Sequence, residues 1–273
     1  MKKIKLKSGD EIPVIGFGTY TLKGSEGIKS IEIALESGYI HIDTAESYEN
    51  QKEVSQAIRN SSLLRRDIFL TSKVDFNNLA YNDLIRACDQ TLIDLETDYL
   101  DLYLIHWPNK KIPMDETFAA MKKLKEEGKI RNLGVSNFTI KHLKEAEEHS
   151  DIDIVTNQVE FHPFLYQKEL YEYCMSKDIL ITAYSPIARG KVFESEVLKK
   201  IAEKYDKNPA QLSLRWMIEK DIVVIPRSKN PEHIKNNVQL FDGWELSLED
   251  VESIDNIKEE KRLIDPDWGE FDK

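Results

Sequence analysis

Polar residues recur immediately after short apolar runs: Thr19 and Tyr20, Asp43 with Tyr48 close behind, Lys73, His106, Ser136 and Asn137, Gln158, Tyr184 and Ser185, and Arg227 with Ser228. Taken singly, each is a residue type that caps a helix or meets solvent in a loop. Taken together they supply a phenol, an ammonium, a carboxylate and an imidazole, the groups from which proton-transfer chemistry is built. The His41-x-Asp43 pair raises a different chemistry, metal-assisted hydrolysis. No second histidine pair or cysteine cluster completes a ligand set, so no metal is expected. His41 shares a strand face with Asp43 and reads as structural. His142 and His149 lie on a charged helix and read as solvated, and His162, between Phe161 and Pro163, reads as a loop or pocket-rim residue.

The elements that must position these groups follow from periodicity. Strand-like runs at Val14–Phe17, Tyr39–Ile42, Ile68–Thr71, Leu100–Ile105, Ile130–Val135, Ile154–Val159, Leu180–Ala183 and Ile222–Ile225 alternate with helical spacing at Gly27–Ser37, Ala80–Leu95, Asp115–Glu127, Ile140–His149, Gln167–Lys177 and Val197–Lys204. Strands separated by helices imply right-handed crossovers and a parallel sheet. Eight such units close most naturally into a (β/α)8 TIM barrel, here a single domain over residues 1–273. Ile4–Leu6 and Glu11–Val14 flank Ser8-Gly9-Asp10, which predicts an N-terminal β-hairpin at the barrel bottom. An open doubly wound sheet is the competing architecture, but no G-x-G-x-x-G leads a strand into a helix. In a parallel barrel the strand C-terminal ends meet at one mouth, and the polar residues above occupy those ends.

Composition narrows the function. A net charge of −11 speaks against nucleic-acid binding, which needs a concentrated basic face. Cys88 and Cys174 are far apart in helix-like segments and fit small buried residues in a reducing compartment. No apolar run reaches the length of a signal core or membrane span, so no membrane is expected and the reading is cytoplasmic.

The residues then carry a family resemblance. His41-Ile42-Asp43-Thr44-Ala45 followed by Tyr48 and Asn50 resembles the aldo-keto reductase signature. Thr71-Ser72-Lys73, Ile105-His106-Trp107-Pro108, Gly134-Val135-Ser136-Asn137-Phe138, Asn157-Gln158-Val159-Glu160, Tyr184-Ser185-Pro186 and Ile225-Pro226-Arg227-Ser228 are similar to that family's later segments, in the same order. The resemblance implies an oxidoreductase with Asp43, Tyr48, Lys73 and His106 as the catalytic set. Reducing a carbonyl creates an oxyanion that must be protonated. Free tyrosine, with a pKa near 10, is a poor acid for this. Stabilising its anion by about three pKa units takes roughly 4 kcal/mol, and a buried Lys73 held charged by Asp43 is expected to supply much of it. His106 is expected to donate to the carbonyl oxygen.

By the same resemblance Tyr184 stacks on a nicotinamide ring while Ser136, Asn137 and Gln158 bind its carboxamide. Gly18, Thr19, Tyr20, Asp43, Ser185, Ile187, Ala188, Asn236 and Asn237 complete the expected cofactor set. Arg227, Ser228 and Lys229 precede a short helix and are expected to hold the 2′-phosphate of NADPH. His233 stands where the family commonly has an arginine, which implies NADPH preference with appreciable use of NADH. Tyr20, Tyr48, Asp75, His106 and Trp107 are expected to line the substrate site. Asp75 replaces a common tryptophan, and the short C-terminus offers only Leu263, Ile264 and Trp268 as a small lid, so the expected substrates are small polar dicarbonyls and short aldehydes. The chain looks most like the compact prokaryotic branch associated with diketogluconate and methylglyoxal reduction, and a monomer is the family-based expectation. A cofactor-binding, redox-sensing regulatory subunit is the alternative, and retained catalytic residues are compatible with it.

Overall fold

The structure, a computed structural model, describes residues 1–149, 153–241, 243–267 and 269–271. The chain opens with an antiparallel hairpin, β1 (Lys3–Lys5) and β2 (Glu11–Pro13), turned at Gly9 with φ +97°. Eight parallel strands follow: β3 (Phe17–Gly18), β4 (His41–Asp43), β5 (Phe69–Val74), β6 (Leu100–Ile105), β7 (Ile130–Ser136), β8 (Ile154–Glu160), β9 (Leu180–Tyr184) and β10 (Val223–Val224). Each pairs with the next in chain order, the arrangement that successive right-handed crossovers produce. The sheet closes on itself where Gly16 N donates to Val224 O (2.8 Å) and Val224 N to Val14 O (2.9 Å). β3 and β10 are short because the runs expected there, Val14–Phe17 and Ile222–Ile225, form this closing seam rather than long regular ladders.

The α-helices are α1 (Gly24–Glu36), α2 (Gln51–Asn60), α3 (Tyr81–Asp94), α4 (Met114–Glu126), α5 (Ile140–His149), α6 (Lys168–Ser176), α7 (Glu196–Lys204), α8 (Pro209–Glu219), α9 (Pro231–Val238) and α10 (Leu248–Asp255), with short 3-10 turns between some strands and helices. Six of them lie where the apolar spacing predicts helices. The helix α8 has no clear amphipathic period because it is buried nearly all round, and its start is set by local chemistry. Asn208 and Gln211 form a reciprocal capping box, with Pro209 at the first helical position.

Strands β5, β6 and β8 are buried along their whole length, as expected of a parallel sheet covered on the outside by helices and filled inside by side chains. The larger apolar cluster lies between sheet and helices. A smaller one joins Leu6 and Ile12 of the hairpin to Phe69, Leu102, Val155 and Val223, toward the strands' N-terminal ends. The hairpin is therefore the plug at the barrel bottom, and Asn132 Nδ2 donates to its Asp10 (2.8 Å). The bottom being sealed by apolar contact, the polar strand ends at the other rim are the open mouth.

Candidate active site

Lys73, next to last in β5, is fully buried, and a buried ammonium needs compensating acceptors. Its Nζ donates to Asp43 Oδ1 (2.5 Å) at the end of β4, to the Thr44 carbonyl (2.8 Å) and to the Tyr48 hydroxyl (3.3 Å). It also lies 4.8 Å from the centre of the Tyr48 ring. Asp43 is equally buried, and its second oxygen accepts from Gln158 Nε2 (2.8 Å) at the far side of the mouth. All three donors of the ammonium are thus directed, and both oxygens of the carboxylate are paired.

Tyr48 ends a 3-10 turn, Glu46–Tyr48, that leads out of β4. The loop is held by buried Asn50, which donates to the Thr19 and Leu22 carbonyls (2.7 and 2.9 Å) and accepts from Thr44 Oγ1 (2.9 Å). His106, just past β6, meets the Tyr48 ring edge-on at 5.6 Å, and Tyr20 meets it on another side at 5.1 Å. Tyr48 and His106 are both half-buried at the mouth.

Burial pushes the Tyr48 hydroxyl well above the usual tyrosine range, and the negative charge of Asp43 and then Tyr20 add to the effect. This reverses the expectation that Lys73 would draw it down. Burial disfavours the phenolate, and Asp43, bound to the ammonium, places a further negative charge beside it. Burial also lowers Lys73, with Asp43 opposing. Burial and then the Lys73 charge hold His106 well below its ordinary value, so it is a neutral imidazole near pH 7.

The next strand ends join the same network. Asn137 Nδ2 donates to the His106 carbonyl (3.0 Å), and Asn137 Oδ1 accepts from the Tyr184 hydroxyl (2.8 Å). Ser136 Oγ donates to the Gln158 carbonyl (2.8 Å), and Thr19 Oγ1 to the Asp43 carbonyl (2.9 Å). Asn137 (φ +62°), Ser185 (+49°), Ala188 (+47°) and Arg189 (+52°) all sit in the left-handed region, costly for non-glycine residues and clustered around the mouth. Gly18 lies so close to β10 that an added Cβ would stand 2.9 Å from the Ile225 carbonyl and 3.7 Å from Arg227 Cβ. A half-buried tyrosine ring beside an amide and a hydroxyl, on a rim shaped by such backbone, is a donor set that fits a flat amide-bearing ring.

On the β10 side, Arg227, Lys229 and His233 are exposed, Ser228 and Asn236 half-buried and Asn237 buried. Lys229 pairs with Glu26 of α1 (2.6 Å), and the α9 N–H groups of Glu232 and His233 are already taken by Asn230 Oδ1. Ile187 is half-buried beyond β9.

Asp75 also caps the turn Phe76–Asn78, accepting from Asn77 N (2.9 Å) and Nδ2 (2.8 Å). Two readings change. His142 is buried, not solvated, with Nδ1 accepting from Thr139 N (3.2 Å). His162 is fully buried against Glu160 instead of standing on a rim. Trp268 lies outside the described residues. Sequence reasoning also missed Ser47, whose Oγ is 3.2 Å from His106 Nδ1, and Glu46, which accepts from Asp75 N (2.8 Å) and Asn78 Nδ2 (2.6 Å). Both flank Tyr48 in the motif, the one signal that pointed at them. Among the described residues no group of three or more metal-binding side chains converges, and no helix is long and apolar enough to cross a membrane.

Known proteins match this arrangement. The chain fits the aldo/keto reductase family over residues 14–259. It is 42% identical over 261 residues to a glyoxal reductase of Bacillus subtilis, covering 95% of this chain and 94% of that protein. It is 37% identical over 274 residues to methylglyoxal reductase DkgA of Escherichia coli, covering 97% and 96%. The crystal structure of MGS-M4, an aldo-keto reductase enzyme from a deep-sea metagenome library of the Medee basin, superposes with a TM-score of 0.93 at 38% identity over 99% of this chain and all of that one. With a (β/α)8 barrel, a buried Asp-Lys-Tyr cluster at its mouth and these relatives along nearly its full length, the chain belongs to the aldo/keto reductase family and is an oxidoreductase that reduces carbonyl compounds with a nicotinamide cofactor.

Proposed function

We propose that this protein is a one-domain, cytoplasmic, monomeric NADPH-preferring reductase of small polar dicarbonyls and short aldehydes. The observation that carries the reading is the Lys73 ammonium shared between Asp43 Oδ1 (2.5 Å) and the Tyr48 hydroxyl (3.3 Å).

A nicotinamide cofactor, when held by the residues named below, would supply a hydride to the carbonyl carbon. Tyr48 gives its proton to the oxygen, and the raised pKa keeps it protonated in the resting enzyme. Lys73 meets the charge that forms when the phenol lets go, and Asp43 keeps Lys73 charged and fixed. Neutral His106 donates from Nε2 to the carbonyl oxygen, with Ser47 Oγ–H on Nδ1 setting that tautomer. Tyr184, Ser136, Asn137 and Gln158 would hold the nicotinamide end. Gly18, Thr19, Tyr20, Ser185, Ile187 and Ala188 line its path, and Arg227, Ser228, Lys229, His233, Asn236 and Asn237 would hold the adenosine phosphate. Tyr20 and Trp107 flank the carbonyl site. The activities for which the two bacterial relatives are named support dicarbonyl substrates, and nothing among them supports a regulatory subunit.

The test follows loss of NADPH absorbance with methylglyoxal, 2,5-diketogluconate and a short aromatic aldehyde, then repeats the series with NADH. Faster turnover with NADPH and a dicarbonyl is expected. Binding of NADPH without consumption in any assay would sink the reading.

A further inference from the structure

Glu160, the last residue of β8, is completely buried, and its carboxylate faces donors that come from far along the chain. Oε1 accepts from His162 Nε2 (2.9 Å) and Leu263 N (2.7 Å), while Oε2 accepts from Ile264 N (2.8 Å). The Leu263 and Ile264 bonds tie a segment without regular secondary structure to a strand end 103 and 104 residues earlier. The neighbouring bonds repeat the connection: Lys261 N donates to the Phe164 carbonyl (2.8 Å), and Arg262 Nη2 to Gln167 Oε1 (3.2 Å). Gln167 Nε2 in turn donates to the Glu160 carbonyl (2.7 Å).

The far side of this tail reaches the mouth. The Arg262 guanidinium lies 4.1 Å over the Phe271 ring, and Phe271 meets Trp107 edge-on at 5.6 Å, one residue from His106. Glu270 closes the other flank, accepting from Lys110 N (3.4 Å) and lying 3.4 Å from His142 Nε2. Glu160 is also the register partner of Tyr184 in the adjacent strand. One buried carboxylate therefore sits between the ring expected to face the cofactor and the tail that touches the rim of the carbonyl site.

We propose that Glu160, braced by His162, is a positioning residue that latches residues 262–264 against β8 and thereby sets the Trp107–Phe271 wall of the substrate pocket. A carboxylate suits this role because it accepts all three N–H donors on two oxygens. Glutamine would present its own NH2 group to at least one of them, leaving two donors face to face. The proposal rests on the reading of the mouth as the carbonyl-reduction site.

Two variants test it from opposite ends of the bond: Glu160→Gln alters the acceptor, and Ile264→Pro deletes a donor while leaving the buried carboxylate in place. Each is compared with the wild-type chain for trypsin cleavage at Lys261 and Arg262, for KM and kcat with methylglyoxal, and for NADPH affinity by quenching of intrinsic fluorescence. The expected result in both is faster cleavage of the tail, a KM raised about tenfold, kcat within about threefold, and NADPH affinity within about twofold. Should Glu160→Gln fail to fold, Ile264→Pro decides alone. Wild-type cleavage rates, or a freed tail with unchanged KM, overturns the latch. A wild-type chain that consumed no NADPH would defeat the functional reading instead, and the trypsin comparison would still decide whether the latch exists.

Discussion

Gln158 Nε2 donates across the mouth to Asp43 Oδ2 at 2.8 Å, on the carboxylate oxygen that Lys73 does not use. Sequence reasoning assigns Gln158 to the cofactor, and the structure adds a second role, in which Gln158 completes the pairing of a buried charge. Gln158→Leu fills similar space but strands Oδ2. The loss of one hydrogen bond to a charged group predicts destabilisation of roughly 2 kcal/mol, read as a lower urea midpoint. An unchanged midpoint would mean that Asp43 has no need of this partner.

Removing the proton donor should separate chemistry from architecture. Tyr48→Phe deletes only the hydroxyl that Lys73 reaches at 3.3 Å. It should lower kcat at least about 100-fold, the lower range of general-acid contributions, with NADPH affinity and melting temperature close to wild type. Lys73→Met should fail differently. It leaves Asp43 buried without its ion partner, so it should also destabilise the fold by roughly 3–5 kcal/mol. Retention of most of the kcat in Tyr48→Phe would refute the assigned acid.

Much of this site is legible in sequence because each group ends a strand and strand ends in a parallel barrel share one mouth. Asp43, Tyr48, Lys73 and His106 meet as expected, and so do Asn137 and Tyr184. What stays hidden has a physical reason in each case. Ser47 is an exposed polar residue in a turn, with no periodicity to mark it, yet it reaches His106. The Glu160 contacts with Leu263 and Ile264 join positions too distant for any local pattern. The upward shift of Tyr48 comes first from burial and then from the Asp43 charge, a local environment that residue types alone do not encode. Helix α8 escapes period analysis because almost every face is buried.

Acidity at the mouth makes a pH prediction. A reductive proton donor must be protonated, and Tyr48 is held well above the ordinary tyrosine value. The acceptor-facing imidazole must be neutral in the proposed tautomer, and His106 is held well below 6.5. For reduction, kcat/KM should therefore be flat through neutrality, with no inflection near pH 6.5. An acid limb at that pH would show that His106 titrates normally and that the Lys73 charge and burial do not control it. Ser47→Ala should lower kcat/KM several-fold by releasing the tautomer, with the pH profile otherwise unchanged.

The Lys229–Glu26 pair at 2.6 Å places a carboxylate on one of the cations expected to meet the cofactor phosphate. Both side chains are exposed, so the pair itself adds little stability. Its effect should be on selectivity. Glu26→Gln frees Lys229 and removes a negative charge from the neighbourhood, so NADPH should bind several-fold more tightly while NADH affinity stays nearly constant. Fluorescence titration measures both without turnover. Equal changes for the two cofactors would place the 2′-phosphate away from Lys229.

His41, at the start of β4 two residues before Asp43, offers a stability test. Its ring is buried, with Nε2 3.1 Å from Thr71 Oγ1, and the backbone at Gly16 lies so close that a Cβ there would stand 2.5 Å from Nδ1. Burial lowers its pKa from 6.5 to about 4, with Asp43 opposing and Lys73 adding a smaller lowering. Above pH 6.5 the ring is neutral folded and unfolded, and its full contribution to stability is present. Between pH 6.5 and about 4 the unfolded chain takes a proton that the folded chain refuses, so stability falls as pH drops. Below about pH 4 both forms are charged and the loss stops, at a total of about 3 kcal/mol. Carboxylates titrate nearby, so the measurement is a difference: wild type and His41→Gln are unfolded in urea at steps from pH 7 to pH 4. Wild type should lose stability more steeply than the variant across that window. Parallel curves would mean that His41 keeps an ordinary pKa, and that the tight space beside Gly16 opens enough to admit a charged ring.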